Sequence, residues 1–416
     1  MTSMFRHDQT CVRALENGFG LRLAWRRPAP HQRSAWRFVL LACVTLALLR
    51  FDATAAQAQE IIAHSPVTNA VGVNVTANIT ASFDMPLNPA TVTTRTFTVR
   101  SSFRGLYTDT ATVSGNGLTM NPSRDFFAGE QVQVVGTAHV RSTGGAPLQP
   151  TQWGFTAGPV KPRCLVGFAD SGTADDALTG VGNGSVAWGD YDKDGDLDIL
   201  LAGDSSGGPV AKVYRNDGGV FVDSGVALTG VYISSVAWGD YDNDGDLDIL
   251  LTGFDFDGNS VTRIYRNGGG VFSDSGAALT GVGASSVAWG DYDNDGDLDI
   301  LLTGYDGGGP VATVYRNDGP AAGWNFSEQT VAGLTGVYYS SVAWGDYDND
   351  GDLDILLTGT TNGNSTGAVA TVYRNDGPAA GAGWNFADSG VALTGIHQSS
   401  VAWGDYDKDG DLDILL

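Results

Sequence analysis

The stretch GDYDKDGDLDILL, residues 189–201, places five aspartates at alternate positions and then turns apolar. Two carboxylates about 5 Å apart repel by roughly 3 kcal/mol at an effective dielectric of about 20, so this density of charge needs a counter-ion. A glycine at the sixth position after Gly189 permits a sharp turn, and alternate side chains then converge. Carboxylate and carbonyl oxygens without His or Cys are ligands for a hard cation and select Ca²⁺ over Zn²⁺. The stretch therefore predicts a calcium-binding loop.

The spacing gives each aspartate a role when Asp190 is counted as position one of the loop. The side chains of positions one, three, five and nine surround the cation, and the main-chain carbonyl of position seven completes the shell. These residues are Asp190, Asp192, Asp194 and Asp198, with Asp196 acting through its carbonyl. An EF-hand begins in the same way but needs a bidentate Glu at position twelve, where this chain has Leu201. The loop is expected to close at position nine and to continue directly into a buried strand.

The same phrase recurs along the chain, with its first aspartate at residues 190, 240, 291, 346 and 405. Each of the first four copies is followed by a VYRN-like segment and a second short β-type segment, so a period of roughly 50–60 residues supplies four strand candidates. A four-stranded unit of this size cannot cover both faces of its own sheet, whereas radial stacking covers each face with the next sheet. The repeats predict a β-propeller. A solenoid is the competing fold, but its period is normally nearer 20–30 residues.

The phrase VAWGDYDNDGDLDILLTG, together with TVYRND, resembles the FG-GAP/VCBS repeat of integrin α-subunit propellers and of many secreted bacterial proteins. The resemblance covers roughly residues 164–416 and implies about one Ca²⁺ per loop, held between the first two strands of a blade. A solvated acidic turn without metal is the alternative. The residues that the resemblance implies in the other four loops are Asp240, Asp242, Asp244, Asp246, Asp248, Asp291, Asp293, Asp295, Asp297, Asp299, Asp346, Asp348, Asp350, Asp352, Asp354, Asp405, Asp407, Asp409, Asp411 and Asp413.

Residues 59–160 lack this motif and alternate β-type runs, such as VNVTANITASFD and EQVQVVGTAHV, with turn signals. Short alternating strands over this length predict a β-sandwich. The opening SPVTNAVGVNVTANITASFDMPLNP and the closing WGFTA resemble bacterial Ig-like domains of secreted and surface proteins, which implies a spacer. The expected fold class is therefore all-β: an Ig-like β-sandwich at 59–160, then a partial β-propeller of four-stranded blades at 164–416 with its fifth copy truncated.

Residues 1–58 have the pattern of a secretory leader, because several Arg precede the apolar run at 38–49 and the small-residue site Ala56-Gln57-Ala58. The run is short for a membrane span, and an uncleaved anchor is the alternative. Cleavage would leave Cys164 as the one cysteine, so stability must come from packing or metal. The net charge of −24 makes nucleic acid and anionic membrane surfaces unattractive partners.

No Ser-His-Asp set, paired Glu or phosphate loop stands out, so we expect a protein that is not an enzyme. The leading hypothesis is a secreted or surface Ca²⁺-binding propeller for adhesion, or for binding an extracellular protein or glycan. Recognition would use the loops that differ among copies, namely 204–209, 254–260, 305–310 and 360–367, on the face opposite the metal loops.

Two alternatives remain open at this level. One is the propeller part of a secreted enzyme acting on polysaccharide, which has only fold analogy behind it, and the other is a purely structural spacer. Because the fifth copy stops in its second strand, we also expect the natural product to continue with further blades.

The first testable prediction concerns export: the mature chain begins near Gln59 and is found outside the cytoplasm. N-terminal sequencing of the protein recovered from the medium or cell surface measures the cleavage point. A membrane-bound product that keeps residues 1–58 would support the anchor instead.

Overall fold

A computed structural model describes residues 58–158, 178–329, 333–379, 383–407 and 411–416. Residues 1–57 of the predicted leader, Cys164 and the predicted ligand Asp409 lie outside these ranges. The described chain is all-β, as predicted, and its three short 3₁₀ turns are Pro89–Thr91, Pro320–Ala322 and Ser365–Gly367. In these ranges no helix has the length and apolar character needed to cross a bilayer.

The first part of the described chain is a β-sandwich of two sheets. Its strands are β1 Ile61–Ser65, β2 Ala70–Asn74, β3 Ile79–Phe83, β4 Phe97–Ser101, β5 Gly105–Leu106, β6 Thr112–Ser114, β7 Gly117–Met120, β8 Gln131–Gly136 and β9 Thr151–Gly158. The strand order is β1-β3-β7-β6 in one sheet and β2-β9-β8-β4-β5 in the other. Alternate residues of facing strands, including Phe83, Leu118, Val134 and Phe155, form one buried core between the sheets. The predicted Ig-like sandwich is confirmed.

The repeats fold into four antiparallel four-stranded sheets, each with its strands in chain order, and a final two-stranded hairpin. The strands of the first two sheets are β10 Gly182–Gly189, β11 Asp198–Ser205, β12 Gly208–Asn216, β13 Phe221–Asp223, β14 Tyr232–Gly239, β15 Asp248–Phe254, β16 Ser260–Asn267 and β17 Phe272–Asp274. The remaining strands are β18 Gly283–Gly290, β19 Asp299–Tyr305, β20 Pro310–Asn317, β21 Phe326–Gln329, β22 Tyr338–Gly345, β23 Asp354–Thr360, β24 Ala368–Ala379, β25 Gly383–Asp388, β26 Ala402–Gly404 and β27 Asp413–Leu415. These are the four strands per period that the sequence predicts.

Neighbouring sheets cover each other's faces, which explains the apolar run that follows every acidic loop. In β15, Ile249 and Leu251 pack into a core shared with the preceding sheet, whereas Leu250 packs into a core shared with the following one. Aromatic stacking adds to each junction: the ring of Tyr191 lies parallel to that of Trp238 in the next sheet at 6.1 Å, and later copies repeat the pair. Both faces of each inner sheet are therefore buried, as a propeller requires.

The first strand of each four-stranded sheet carries a bulge opposite a glycine of the second strand. Between the pairs Tyr232↔Phe254 and Ser235↔Thr252, β14 has one more residue than β15, and the residue it faces is Gly253. Gly253 has φ +150°, and a Cβ there would lie 2.8 Å from Cβ of Val231. The glycine of the repeated TG pair is thus required both by backbone conformation and by close packing.

We expect Gly253→Ala to destabilise the protein by about 2–4 kcal/mol, since it combines backbone strain with a steric clash. The shift of the urea unfolding midpoint measures the effect. Gly309→Ala is the matched control, because a Cβ at Gly309 meets nothing within 4 Å. Equal midpoints for the two variants would contradict this account of the bulge.

Candidate metal centres

The acidic loops connect the first and second strands of each repeat. In the first repeat, β10 ends at Gly189, the loop begins at Asp190, and its ninth residue Asp198 is the first residue of β11. Leu197 and Ile199 flank Asp198, and Ile199 is buried. The loop and the apolar strand are one hairpin, so the position-nine carboxylate is built into the edge of the core.

Backbone N–H groups hold the carboxylates of positions one and nine. In the second loop, the N–H of Gly245 donates to Asp240 at 3.0 Å. Asp248 accepts one hydrogen bond from the N–H of Tyr241 at 3.0 Å and another from the N–H of Asn267 at 2.7 Å. The third and fourth loops repeat these bonds within about 0.1 Å. The loops are thus shaped by their own main chain.

Three carboxylates converge in every loop, with one oxygen from each within 4.8 Å of the others. Positions one and three take part in all five groups. Position nine joins them in the second, fourth and fifth loops, and position five in the first and third. The groups are Asp190, Asp192 and Asp194; Asp240, Asp242 and Asp248; Asp291, Asp293 and Asp295; Asp346, Asp348 and Asp354; Asp405, Asp407 and Asp413. The position-seven carboxylates of the described loops are in none of these groups, and a role through their carbonyls stays a prediction.

Burial governs the electrostatics of these groups. Desolvation raises the pKa of Asp248 to about 9 and that of Asp354 to about 8, and the nearby carboxylates of positions one and three add to the shift at Asp248. For Asp240, at position one, burial raises the pKa to about 7 even though the charge of Arg100 lowers it. The fully buried Asp291 and Asp299 have pKa values raised well above the usual range by the same desolvation. Ionised carboxylates at these positions need a cation beside them.

The donor set fits a hard divalent cation such as Ca²⁺. Every group consists of carboxylates, and neither His nor Cys contributes to any group found in the described residues. Asp242 is 3% exposed, and its Oδ1 accepts no hydrogen bond from any described residue, which leaves it available to a metal. A bound Ca²⁺ would supply the positive charge that these buried oxygens need, and the backbone N–H groups already orient the carboxylates of positions one and nine.

Arginines of the Ig-like sandwich reach the loops, a contact that the sequence analysis does not anticipate. Arg100 of β4 is 4% exposed and donates hydrogen bonds to the side-chain oxygen of Asn243 and to the carbonyl of Gly296. Arg104 lies 3.7 Å from the buried carboxylate of Asp190. A signal was present in the sequence, since Arg100 interrupts an otherwise uncharged strand, but its partners lie in another domain.

The Asn of the VYRN-like segment is a second group that sequence reasoning missed. Asn317 Nδ2 donates to the carbonyl of Leu298 in its own loop at 3.2 Å and to that of Tyr241 in the preceding loop at 2.8 Å. Asn267 and Asn375 make the same two contacts. Its presence in four copies of the repeat was the available signal. This side chain joins the third strand to two successive loops.

The fold and the loops define an all-β protein in which an Ig-like sandwich precedes blades with acidic metal-loop hairpins. The family described as bacterial Ig-like domain matches residues 55–157. The FG-GAP-like repeat family matches residues 190–251, 251–302 and 295–357. The chain thus carries a bacterial Ig-like domain followed by FG-GAP-like repeats, in the order predicted, and this combination indicates an extracellular β-rich protein.

Similarity to solved structures is distant, and no curated protein matches the chain. A sialidase of Trypanosoma rangeli has a TM-score of 0.31 at 12% identity over 86% of this chain and 56% of its own. The rhamnogalacturonan lyase PL11 of Bacillus licheniformis has a TM-score of 0.28 at 14% identity, over 84% of this chain and 71% of the lyase. The N-terminal part of the bacterial S-layer protein SbsC has a TM-score of 0.21 at 12% identity over 53% of this chain. The match spans 43% of that S-layer fragment.

The pKa shifts predict that calcium stabilises the protein more at high pH than at low pH. In chelator-treated protein, the raised pKa values mean that the stability contributed by these carboxyls is present below about pH 4 and is lost as pH rises through about 7–9. Calcium needs the ionised form, so its stabilising effect grows over the same window. The measurement is the melting temperature with Ca²⁺ and with chelator, at about pH 5 and about pH 8. The gap is the difference between the two melting temperatures at one pH, and it should be wider at about pH 8.

Mg²⁺ is the matched metal control and should be a poor substitute, because it demands a smaller octahedral site. Asp255→Asn, outside the metal loops, should leave the gap unchanged. A gap that is absent, or that shrinks as pH rises, would contradict the assignment of these loops to calcium.

Proposed function

We propose that the protein is a secreted or surface-exposed adhesion or ligand-binding protein, stabilised by calcium, that recognises an extracellular protein or glycan through its variable loops. It is proposed to be non-catalytic. One observation carries the proposal: the Ig-like sandwich occupies the metal-loop face of the repeats, which leaves the variable-loop face available to a partner.

Contacts along several loops support this arrangement. The N–H of Asp190 donates to the carbonyl of Phe103 at 2.6 Å, and Arg124 donates to the carbonyl of Lys193 at 3.0 Å. A Cβ at Gly351 in the fourth loop would lie 3.3 Å from the hydroxyl of Thr151. The sandwich is therefore packed against the metal loops, a position that differs from that of a freely extended spacer.

The variable-loop face has the shape and composition of a recognition surface. A groove of about 410 Å³ lies between the loops of the second and third sheets, and Phe254, Asn259, Thr280, Tyr305 and Asp306 line it. In the same loop as Asn259, the side chain of Phe256 is 80% exposed and lies near Gly208 in the loop of the first sheet. Exposed aromatic rings next to hydrogen-bonding side chains are typical of surfaces that bind sugars or proteins.

Two carboxylates of this face are unsuited to the general-acid role that a polysaccharide-acting enzyme requires. Asp255 accepts hydrogen bonds from Asn259 and from loop N–H groups, which lower its pKa. The N–H groups of Gly308 and Gly309 lower the pKa of Asp306 in the same way. A general acid needs a raised pKa, so neither carboxyl is suited to that role.

We expect replacement of 254–260 and 360–367 by short Gly/Ser turns to abolish binding on arrays of glycans and extracellular proteins, and Phe256→Ser to weaken it. Val271→Ser is the matched control, because Val271 is also exposed but lies in the β16–β17 hairpin at the metal-loop end. Calcium-dependent melting should remain in every variant.

Two outcomes would contradict this proposal. Binding that survives the loop replacements would place recognition elsewhere, and loss of calcium-dependent melting together with binding would make the loops structural. If the native protein binds no probe on either array, the structural spacer replaces the adhesion hypothesis.

A further inference from the structure

The fourth residue of each metal loop is not an acid, and in four loops the structure gives it an unusual backbone. Lys193, Asn243, Asn294 and Asn349 occupy this position with φ of +63°, +55°, +56° and +59°. Asn is among the few residues with a side chain that adopt the left-handed region readily. This conformation turns the side chain of position four away from the ligand cluster of its own loop.

Each of these side chains contacts the position-seven aspartate of the next loop. The distances from the donor nitrogen to the carboxylate oxygen are 2.5 Å for Lys193–Asp246, 2.6 Å for Asn243–Asp297, 2.8 Å for Asn294–Asp352 and 2.9 Å for Asn349–Asp411. Asn243 and Asn294 also approach the carbonyls of Gly296 and Gly351 at 3.3 and 3.2 Å. The same link therefore recurs at four successive junctions, and we call it the loop relay.

The loop relay joins two segments that matter for metal binding. Position four follows position three, whose carboxylate converges with the other ligands in every loop, so a cation that orders position three also orders position four. Position seven is the residue whose carbonyl is expected to complete the shell, and its N–H is held by position five of its own loop, at 2.9 Å for Asp297. Because the preceding loop holds the side chain of position seven, the orientation of the position-seven carbonyl depends on both loops.

We propose that the loop relay couples calcium binding in neighbouring blades, so that an ion in one loop raises the affinity of the next. This inference rests on the assignment of the loops to calcium. Repulsion between two bound ions opposes the effect, but each loop carries five aspartates against one divalent cation, so the surroundings of each ion stay negative. Coupling through an ordered contact of this kind is reciprocal, and either loop can be filled first.

The Ig-like sandwich reinforces the junction of the loop relay between the second and third loops. Arg100 donates to the side-chain oxygen of Asn243 and to the carbonyl of Gly296, the same carbonyl that Asn243 approaches. Its guanidinium therefore lies on the link between the second and third loops, at positions four and six, which are not expected metal ligands. The docked sandwich thus also holds the link between the second and third loops.

The test is Asn294→Gly in the full chain, because glycine keeps the left-handed backbone and removes only the amide. Calorimetric Ca²⁺ titration and Tb³⁺ luminescence sensitised by the loop tyrosines give the binding isotherm. We expect native protein to bind with a Hill coefficient above one. In the variant this coefficient should fall, and the affinity of the third and fourth loops should drop roughly tenfold.

Two further variants separate positioning from a general structural role. Asn259→Gly, in a variable loop, is the matched control and should leave the isotherm unchanged. Asn349→Lys should keep cooperativity, since Asn349 is exposed like Lys193, which makes the same link with an ammonium group. A melting temperature in chelator that is equal for native protein and Asn294→Gly would show that the variant acts on metal binding.

The outcomes distinguish the relay from the calcium assignment beneath it. If native protein binds neither Ca²⁺ nor Tb³⁺, the loop relay and the calcium assignment are both wrong. If native protein binds Ca²⁺ and Asn294→Gly leaves cooperativity and affinity intact, the relay is overturned while the calcium assignment stands. If the variant destabilises chelated protein as much as loaded protein, Asn294 is structural and the relay is likewise overturned.

Discussion

Burial of a carboxylate at the start of an apolar strand is the constraint on which the rest of the structure depends. Asp198, Asp248, Asp299 and Asp354 are fully buried at the first residue of their strands, where an uncompensated charge would be prohibitive. Each receives N–H groups from position two of its own loop and from the Asn of the VYRN-like segment in the third strand. Strand one, the loop, strand two and strand three are therefore tied at one point, and a metal ion bound there would stabilise the whole hairpin array.

Much of this organisation could be predicted from the sequence because its signals are local and repeated. The alternation of acids from Asp190 to Asp198, the glycine of the turn and the apolar run are contiguous, and the period predicts four strands per blade. Three of the four side chains predicted to bind metal in each loop converge in the structure. The Ig-like sandwich was also accessible, since its strands alternate over short distances between turn signals.

The parts that could not be predicted depend on contacts between segments distant in sequence. Asn243 resembles an ordinary turn residue until the structure places Asp297 of the next loop 2.6 Å from it. Arg100 becomes part of the loop face only because the sandwich docks there, and no local pattern encodes the docking of two domains. Predictions for Asp409 and for the leader fall outside the described residues and stay predictions.

At the end of the blades opposite the metal loops, the first strands hold residues of different types in one left-handed backbone conformation. At the bulges of the four four-stranded sheets the residue types differ, yet Asn183, Ile233, Ala284 and Tyr339 all have φ between +46° and +49°. A β-branched residue such as Ile233 is disfavoured there by roughly 1–3 kcal/mol, so this conformation persists only because the facing glycine and the packed sheets impose it. A scaffold that forces one backbone conformation while the side chain changes from copy to copy displays different chemistry at equivalent positions. The bulges, next to the variable loops, thus divide the molecule into a uniform end suited to metal binding and a diversified end suited to recognition.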